Sequence, residues 1–131
     1  MPFDDRGFLY APPPPPEPTI AERMEKLFQG GKKWGVGDFY AGGAYCLLGA
    51  LVAVTKNIRG HRVGMLSPDA LPGFNHLARA VGGDQETRYM RIVLFNDNAD
   101  GFEAIRAALR RMHKYEIAAR ERAAKKALIS A

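Results

Sequence analysis

The chain has 131 residues, a net charge of +5 and a single cysteine, a size that suits one compact domain with a real core and leaves no partner for an internal disulfide. Its longest apolar run, Cys46 to Thr55, is about half of the ~20 residues that cross a bilayer, so it reads as a core helix and no membrane association is expected. The first thirty residues lack the charged start and apolar stretch of a secretory leader, and a cytoplasmic location is the expectation.

The charge is uneven. Asp100 to Ala131 holds eight Lys or Arg against four acids, so +4 of the total sits there, and attraction for acidic partners would come mainly from that segment.

Residues 1–18 carry Pro2, the run Pro12 to Pro16, and Pro18, which hold φ near the polyproline value and remove backbone donors. They read as an extended arm, with Phe8 and Tyr10, beside Phe3 and Leu9, as candidate anchors for a protein partner. Thr19 with Glu22 makes a capping-box pattern, and Ile20, Met24, Leu27 and Phe28 form one face of a helix that Gly30 and Gly31 end. Lys32 to Gly43 mixes glycines with Trp34, Val36, Phe39 and Tyr40 and reads as a loop or small hairpin.

An apolar helix is expected from about Ala44 to Asn57. Cys46, Gly49, Ala50 and Ala53 place small side chains on one stripe, where another backbone can come close. After a basic loop over Ile58 to Leu66, Ser67 and Pro68 give a cap and first-turn proline. Pro72 then restarts a helix through Phe74, Leu77, Ala78 and Val81, closed by Gly82 and Gly83. The β-branched and aromatic content of Tyr89 to Phe95 predicts a buried strand leading into a polar turn at Asn96-Asp97-Asn98. Asp100 with Glu103 resembles a second capping box, and Phe102, Ile105, Ala108, Leu109, Met112 and Tyr115 recur at helical spacing. Beyond Tyr115 the large apolar residues thin out, and an exposed helical extension is expected.

The expected fold is therefore α+β and mostly helical, with about four helices and a short strand or small hairpin. Residues 1–18 form the arm, 19–118 the core domain, and 119–131 a basic C-terminal helix extension.

Few residues carry chemistry. Cys46 near a helix N-terminus is placed as a nucleophile would be, because orphan N–H groups and the helix dipole favour a thiolate. A cysteine-dependent hydrolase or transferase would need His61 or His76 as base and Asn96 or Asp97 as orienter. The competing reading is a buried core thiol, since free cysteine is among the most buried residue types. Asn96 and Asp97 can equally tie helix N-termini together through backbone N–H groups. Their acidic neighbourhood lacks the glycine and distant glutamate of a calcium loop. The cysteine and histidines at 46, 61, 76 and 113 lack zinc spacing, and the glycines at 30, 31, 35 and 37 lack the ending of a phosphate loop. No metal or cofactor is expected.

On the last helix Arg106, Arg110 and Lys114 recur every four residues, with Arg111 and His113 beside them, a stripe able to meet phosphates. The plainer reading is a solvated face, helped by Glu116 with Arg120 and Glu121 with Lys125 at i,i+4.

Trp34 and Phe39 precede Tyr45-Cys46-Leu47-Leu48-Gly49-Ala50-Leu51, and Ile92-Val93-Leu94-Phe95-Asn96-Asp97 precedes an amphipathic helix. With this pattern, residues 19–118 resemble a family of small uncharacterised domains from bacteria and phages. The resemblance implies a shared fold core and brings no settled activity. Where that family tends to place Trp before Asn-Asp, this chain has Phe95, which keeps the aromatic packing and loses an indole donor. The expected function is a non-enzymatic binding or accessory module, engaging a protein through the arm and an acidic partner or nucleic acid through the basic helix. A structural subunit of a larger assembly is the remaining alternative.

Overall fold

Thr19 sets where the first helix begins. The computed structural model describes residues 15–59 and 70–130, the side chains of 56–59 excepted. In it α1 spans Ile20–Phe28, and the capping box is closed in both directions. The Glu22 N–H donates to Thr19 Oγ1 at 3.1 Å, and the Thr19 N–H donates to Glu22 Oε1 at 2.9 Å. The remaining first-turn donors, Ile20 and Ala21, each give an N–H to the Glu116 carboxylate at 2.9 Å. Glu116 lies far along the chain on the last helix, so a long-range carboxylate completes a local cap. Such an anion also meets the positive end of the helix dipole.

After a single 3₁₀ turn at Gln29–Gly31 the chain forms a minimal hairpin, β1 Tyr40–Ala41 paired antiparallel with β2 Ala44–Tyr45. Gly42 (φ 60°) and Gly43 (φ 84°) supply the positive φ that a two-residue hairpin turn requires at both central positions. Tyr45 also pairs on its other side, donating to the Lys33 carbonyl and accepting from the Gly35 N–H. A small hairpin is thus present, but it runs beyond the expected Lys32 to Gly43: Ala44 and Tyr45, expected as the start of the apolar helix, form its second strand, and that helix begins only at Leu47.

The helices α2 (Leu47–Arg59), α3 (Leu71–Ala80), α4 (Arg88–Asn98) and α5 (Phe102–Ser130) complete the described elements. α1 packs on α2 and α5, α3 packs on α4 and α5, and α2 packs on α4. Met24, Phe28, Leu47, Leu51, Leu77, Ile92, Ile105, Leu109 and Met112 are fully enclosed at the centre, each contributing roughly 1.5–3 kcal/mol by burial. The fold is mostly helical α+β, as the composition and periodicity predict.

One element differs in kind. Tyr89 to Phe95, expected as a strand, lies within α4. Ile92 and Asn96, four residues apart, are buried, while Tyr89, Met90 and Leu94 are exposed, a helical rather than an alternating pattern. β-branched and aromatic residues favour a pleated, half-buried surface rather than a backbone conformation, and a short apolar run does not distinguish the two states by itself. The polar turn is correspondingly shorter: Asn96, Asp97 and Asn98 are the last turn of α4, and Ala99 to Gly101 link it to α5. α5 starts one residue later than an Asp100 cap would place it, and it runs on to Ser130 with every residue from Arg120 exposed. The loop over Ile58 to Leu66 lies mostly, and the Ser67-Pro68 cap wholly, outside the described residues. Pro72 sits in the first turn of α3, as expected.

The two carboxyls at the α1 cap are driven apart. Burial raises Glu116 above the ordinary glutamate value despite the hydrogen bonds from Ala21 and Ile20, whereas the Thr19 N–H holds the largely solvated Glu22 below it. The raised group contributes stability fully below its unfolded value and loses it as pH rises through its native value. The lowered group contributes above its unfolded value and loses it as pH falls through its native value. A carboxyl-carbon NMR titration is expected to place Glu116 above Glu22; coincident midpoints or the reverse order would contradict this account of the cap.

Candidate functional site

The residues singled out by motif converge at one junction. Asn96, 1% exposed, uses its whole amide there. Its Oδ1 accepts from the Trp34 indole N–H at 2.8 Å and from the Leu47 N–H at 3.1 Å. Its Nδ2 donates to the Gly35 carbonyl at 3.1 Å and to Asp97 Oδ1 at 3.2 Å. Two acceptor and two donor positions are all an Asn side chain has. Because two N–H groups point at one oxygen, the amide orientation is dictated by the network. Asp97 Oδ1 also accepts from the Gly37 N–H at 3.0 Å. The end of α4 therefore grips both the start of α2 and the segment leading to the hairpin.

Cys46 is the residue just before α2. Its carbonyl accepts from the Ala50 N–H at 2.9 Å, its Sγ accepts from the Gly49 N–H at 3.4 Å, and its own N–H donates to the Phe39 carbonyl at 3.4 Å. The thiol caps the helix as a serine hydroxyl would, with sulfur as the weaker acceptor. Gly49 completes the junction: a Cβ there would stand 1.8 Å from the Phe39 carbonyl oxygen, so a side chain of any size displaces the segment just before β1 from the helix. The close approach expected on the small stripe occurs at this residue.

This geometry does not assemble a nucleophile with a base. Cys46 is 8% exposed, and among the described residues no imidazole is bonded to it. Asn96 and Asp97 are engaged as above. His61 lies outside the described residues. His76 sits on α3, where burial first and then the charges of Arg122 and Arg79 lower its pKa. His113, on α5, has Nδ1 2.9 Å from Thr19 Oγ1 and 3.7 Å from Glu22 Oε1, at the α1 cap. Among the described residues no group of three or more His, Cys, Asp or Glu is placed to hold a metal ion.

Among the described residues, the basic stripe divides into cations with internal partners and cations without. Arg106 pairs with Glu25 at 3.4 Å and with Glu103 at 2.5 Å and lies over the Phe102 ring. Arg111 Nε donates to the Ala80 carbonyl at 2.9 Å, closing the C-terminal end of α3. Arg110 lines a shallow groove between α1 and α5 with Glu22, Glu25 and His113. Lys114 is exposed. The arm anchors Phe8 and Tyr10 lie outside the described residues, but the arm's base is held: Arg120 donates to the Glu17 carbonyl at 2.6 Å and to the Pro18 carbonyl at 3.2 Å.

Sequence reasoning missed the structural roles of Glu116, Arg120 and Trp34. The first two were paired with each other by i,i+4 spacing, a rule that sees only one helix. Nothing in the order of residues signals that α1 lies across them. A lone Trp beside a polar Asn-Asp in an otherwise apolar chain was the available hint for the indole.

Large apolar side chains also remain outside the core. Val36, Phe39 and Tyr40 around the hairpin and Tyr89, Met90 and Leu94 on α4 are exposed. Met90, Leu94 and Asp97 share one face of α4, and Asp97 grips Gly37 beside Val36. No described helix is long and apolar enough to cross a membrane. Comparison with protein-family models, curated proteins and solved structures found no match.

Replacing Asn96 by Ala leaves the Leu47 and Trp34 donors unpaired in a closed site and is expected to cost about 3 kcal/mol with a shift of Trp34 fluorescence. Chemical denaturation checks it, and a loss under ~0.5 kcal/mol, the level of an ordinary surface change, would remove the junction from its central place. For Cys46, alkylation is expected to be far slower in the native protein than in the denatured chain; equal rates would return the thiol to the list of nucleophiles.

Proposed function

We propose that the chain is a non-enzymatic binding or accessory module, with the basic extension of α5 as its contact for an acidic partner or nucleic acid and the proline-rich arm as its contact for a protein. The observation that carries this reading is the contrast between interior and extension. Every motif residue described at the junction is engaged in holding elements together, whereas the extension is exposed from Arg120 to Ser130. It bears Arg120, Arg122, Lys125 and Lys126 against a single acid, Glu121. A helix of about three turns is marginal alone in water, so one that continues past its core with cations along it is suited to a contact outside the chain.

The arm supports the same reading, since Arg120 holds its base at Glu17 and Pro18 and its described part, Pro15 to Pro18, is exposed. The exposed apolar side chains of α4 and the hairpin offer further area to a protein partner. A cysteine-dependent enzyme finds less support, because the Cys46 thiol is enclosed and already accepts a backbone N–H. A cytoplasmic location fits the reading.

Fluorescence anisotropy with labelled oligothymidylate and labelled polyglutamate tests it. At least one is expected to bind in a salt-dependent manner. For the oligonucleotide, replacing Arg122, Lys125 and Lys126 by Ser should lower the log–log salt slope by up to about 0.7 per cation that meets a phosphate. Absence of binding to both polyanions, or binding indifferent to salt and to these substitutions, would defeat it.

A further inference from the structure

α3 and α5 run side by side, and their seam gathers positive charge. Arg111 is fixed at one end by its bond to the Ala80 carbonyl, and the Arg79 guanidinium lies 4.1 Å over the Tyr115 ring. His76 stands one turn before Arg79 on α3, and Arg122 stands two turns beyond Tyr115 on the same face of α5. The charges acting on the His76 imidazole are Arg122 from α5 and Arg79 from its own helix, and no carboxylate is among them. Among the described residues no acid forms an ion pair with Arg79, Arg111 or Arg122; the ion pairs of this surface belong to Arg106 and His113 on the α1 side.

Like charges brought together in a folded protein repel, and an uncompensated row of them is complementary to a polyanion rather than to the rest of the chain. From Arg111 to Arg122 the row covers about 16 Å of helix at 1.5 Å per residue, room for several phosphates of one strand. Two of the arginines are held in place, one by a carbonyl and one by an aromatic face, so little side-chain freedom is lost when an anion arrives.

We infer that the α3–α5 seam, formed by Arg79, Arg111 and Arg122 around His76, is the surface on which the phosphate backbone of a nucleic acid lies. This deepens the proposed function and rests on it. The basic stripe that recurs every fourth residue on α5 is not the contact: Arg106 pairs with Glu25 of α1 and Arg110 lines the groove that holds Glu22 and Glu25, and Lys114 lies off the seam. Recognition is by charge and carries no base preference. An anion on the seam favours protonated His76, so binding tightens as pH falls and takes up a proton.

The full chain is titrated with labelled oligothymidylate. Arg79→Gln with Arg122→Gln is expected to weaken binding several-fold and to lower the salt slope by about 0.7 for each cation removed, the single-strand value. Arg110→Gln with Lys114→Gln removes the same charge from outside the seam and should have little effect. Arg122→Gln alone, on the exposed extension and clear of the core, should act in the same direction as the first pair. In NMR spectra the His76 ring protons are expected to shift, with a raised titration midpoint, when oligonucleotide is added. Equal losses from the two double variants, or shifts at His113 without shifts at His76, would overturn the placement while leaving the binding module intact. Binding of polyglutamate without oligothymidylate would overturn the nucleic-acid assignment alone, and binding of neither would remove the proposed function with it.

Discussion

The Asn96 amide is the contact on which the arrangement of this protein depends. It satisfies an N–H at the start of α2, the indole of Trp34, the carbonyl of Gly35 and the carboxylate of its neighbour Asp97. A buried amide is stabilising only when all of its positions are filled, because each empty one costs a full desolvation. Its geometry admits one mutual placement of three segments that are distant in the chain. The hairpin, α2 and α4 are thus set by one side chain, and Gly49 then lets the Phe39 carbonyl rest on the helix without a Cβ between them.

α5 performs a similar service at two other helix ends. Glu116 fills the first-turn donors of α1, and Arg111 takes a carbonyl at the C-terminal end of α3. Both contacts match charge to the helix dipole, an acid at an N-terminus and a base at a C-terminus. Because one long helix supplies both, α1 and α3 are tied to a common strut. Up to Glu116 four of its polar side chains, Arg106, Arg111, His113 and Glu116, reach partners on or beside α1 and α3. Beyond Arg120 the core is gone, and the same helix presents cations to water. The functional reading follows from that division rather than from any single motif.

The thiol at Cys46 illustrates why position on a helix is a weak guide to reactivity. A cysteine before the first turn can be activated by the free N–H groups there, but here two of those groups are engaged, by Asn96 at Leu47 and by the sulfur itself at Gly49. A nucleophile needs an approach for substrate and a base within reach. Its burial and its bond from the Gly49 N–H make this sulfur part of the cap.

Much of the fold was legible in the residue order, because its causes are local. Thr19 with Glu22 marks a helix start through atoms three residues apart. The glycines of Lys32 to Gly43 mark a loop or small hairpin through their free φ, and Ile105, Ala108, Leu109 and Met112 mark a buried helical face through spacing. The exposed extension could likewise be read from the thinning of large apolar residues after Tyr115. What order alone left open were the states set by contacts between distant segments. Tyr89 to Phe95 has the composition of a strand, yet only α2 and α3 on one side and solvent on the other make a helix the conformation that buries Ile92 and Asn96 together. The partner of Glu116 is a helix start 96 residues away at Ile20, and the pairing of Asn96 with Trp34 crosses 62 residues. Likewise, the α5 cations left without acids were decided by which helix came to lie beside each one. The sequence by itself determined the elements whose hydrogen bonds close within a turn or two. The tertiary structure decided where the remaining donors, acceptors and charges found their partners, since buried polar groups must be satisfied wherever the chain brings a complement within reach.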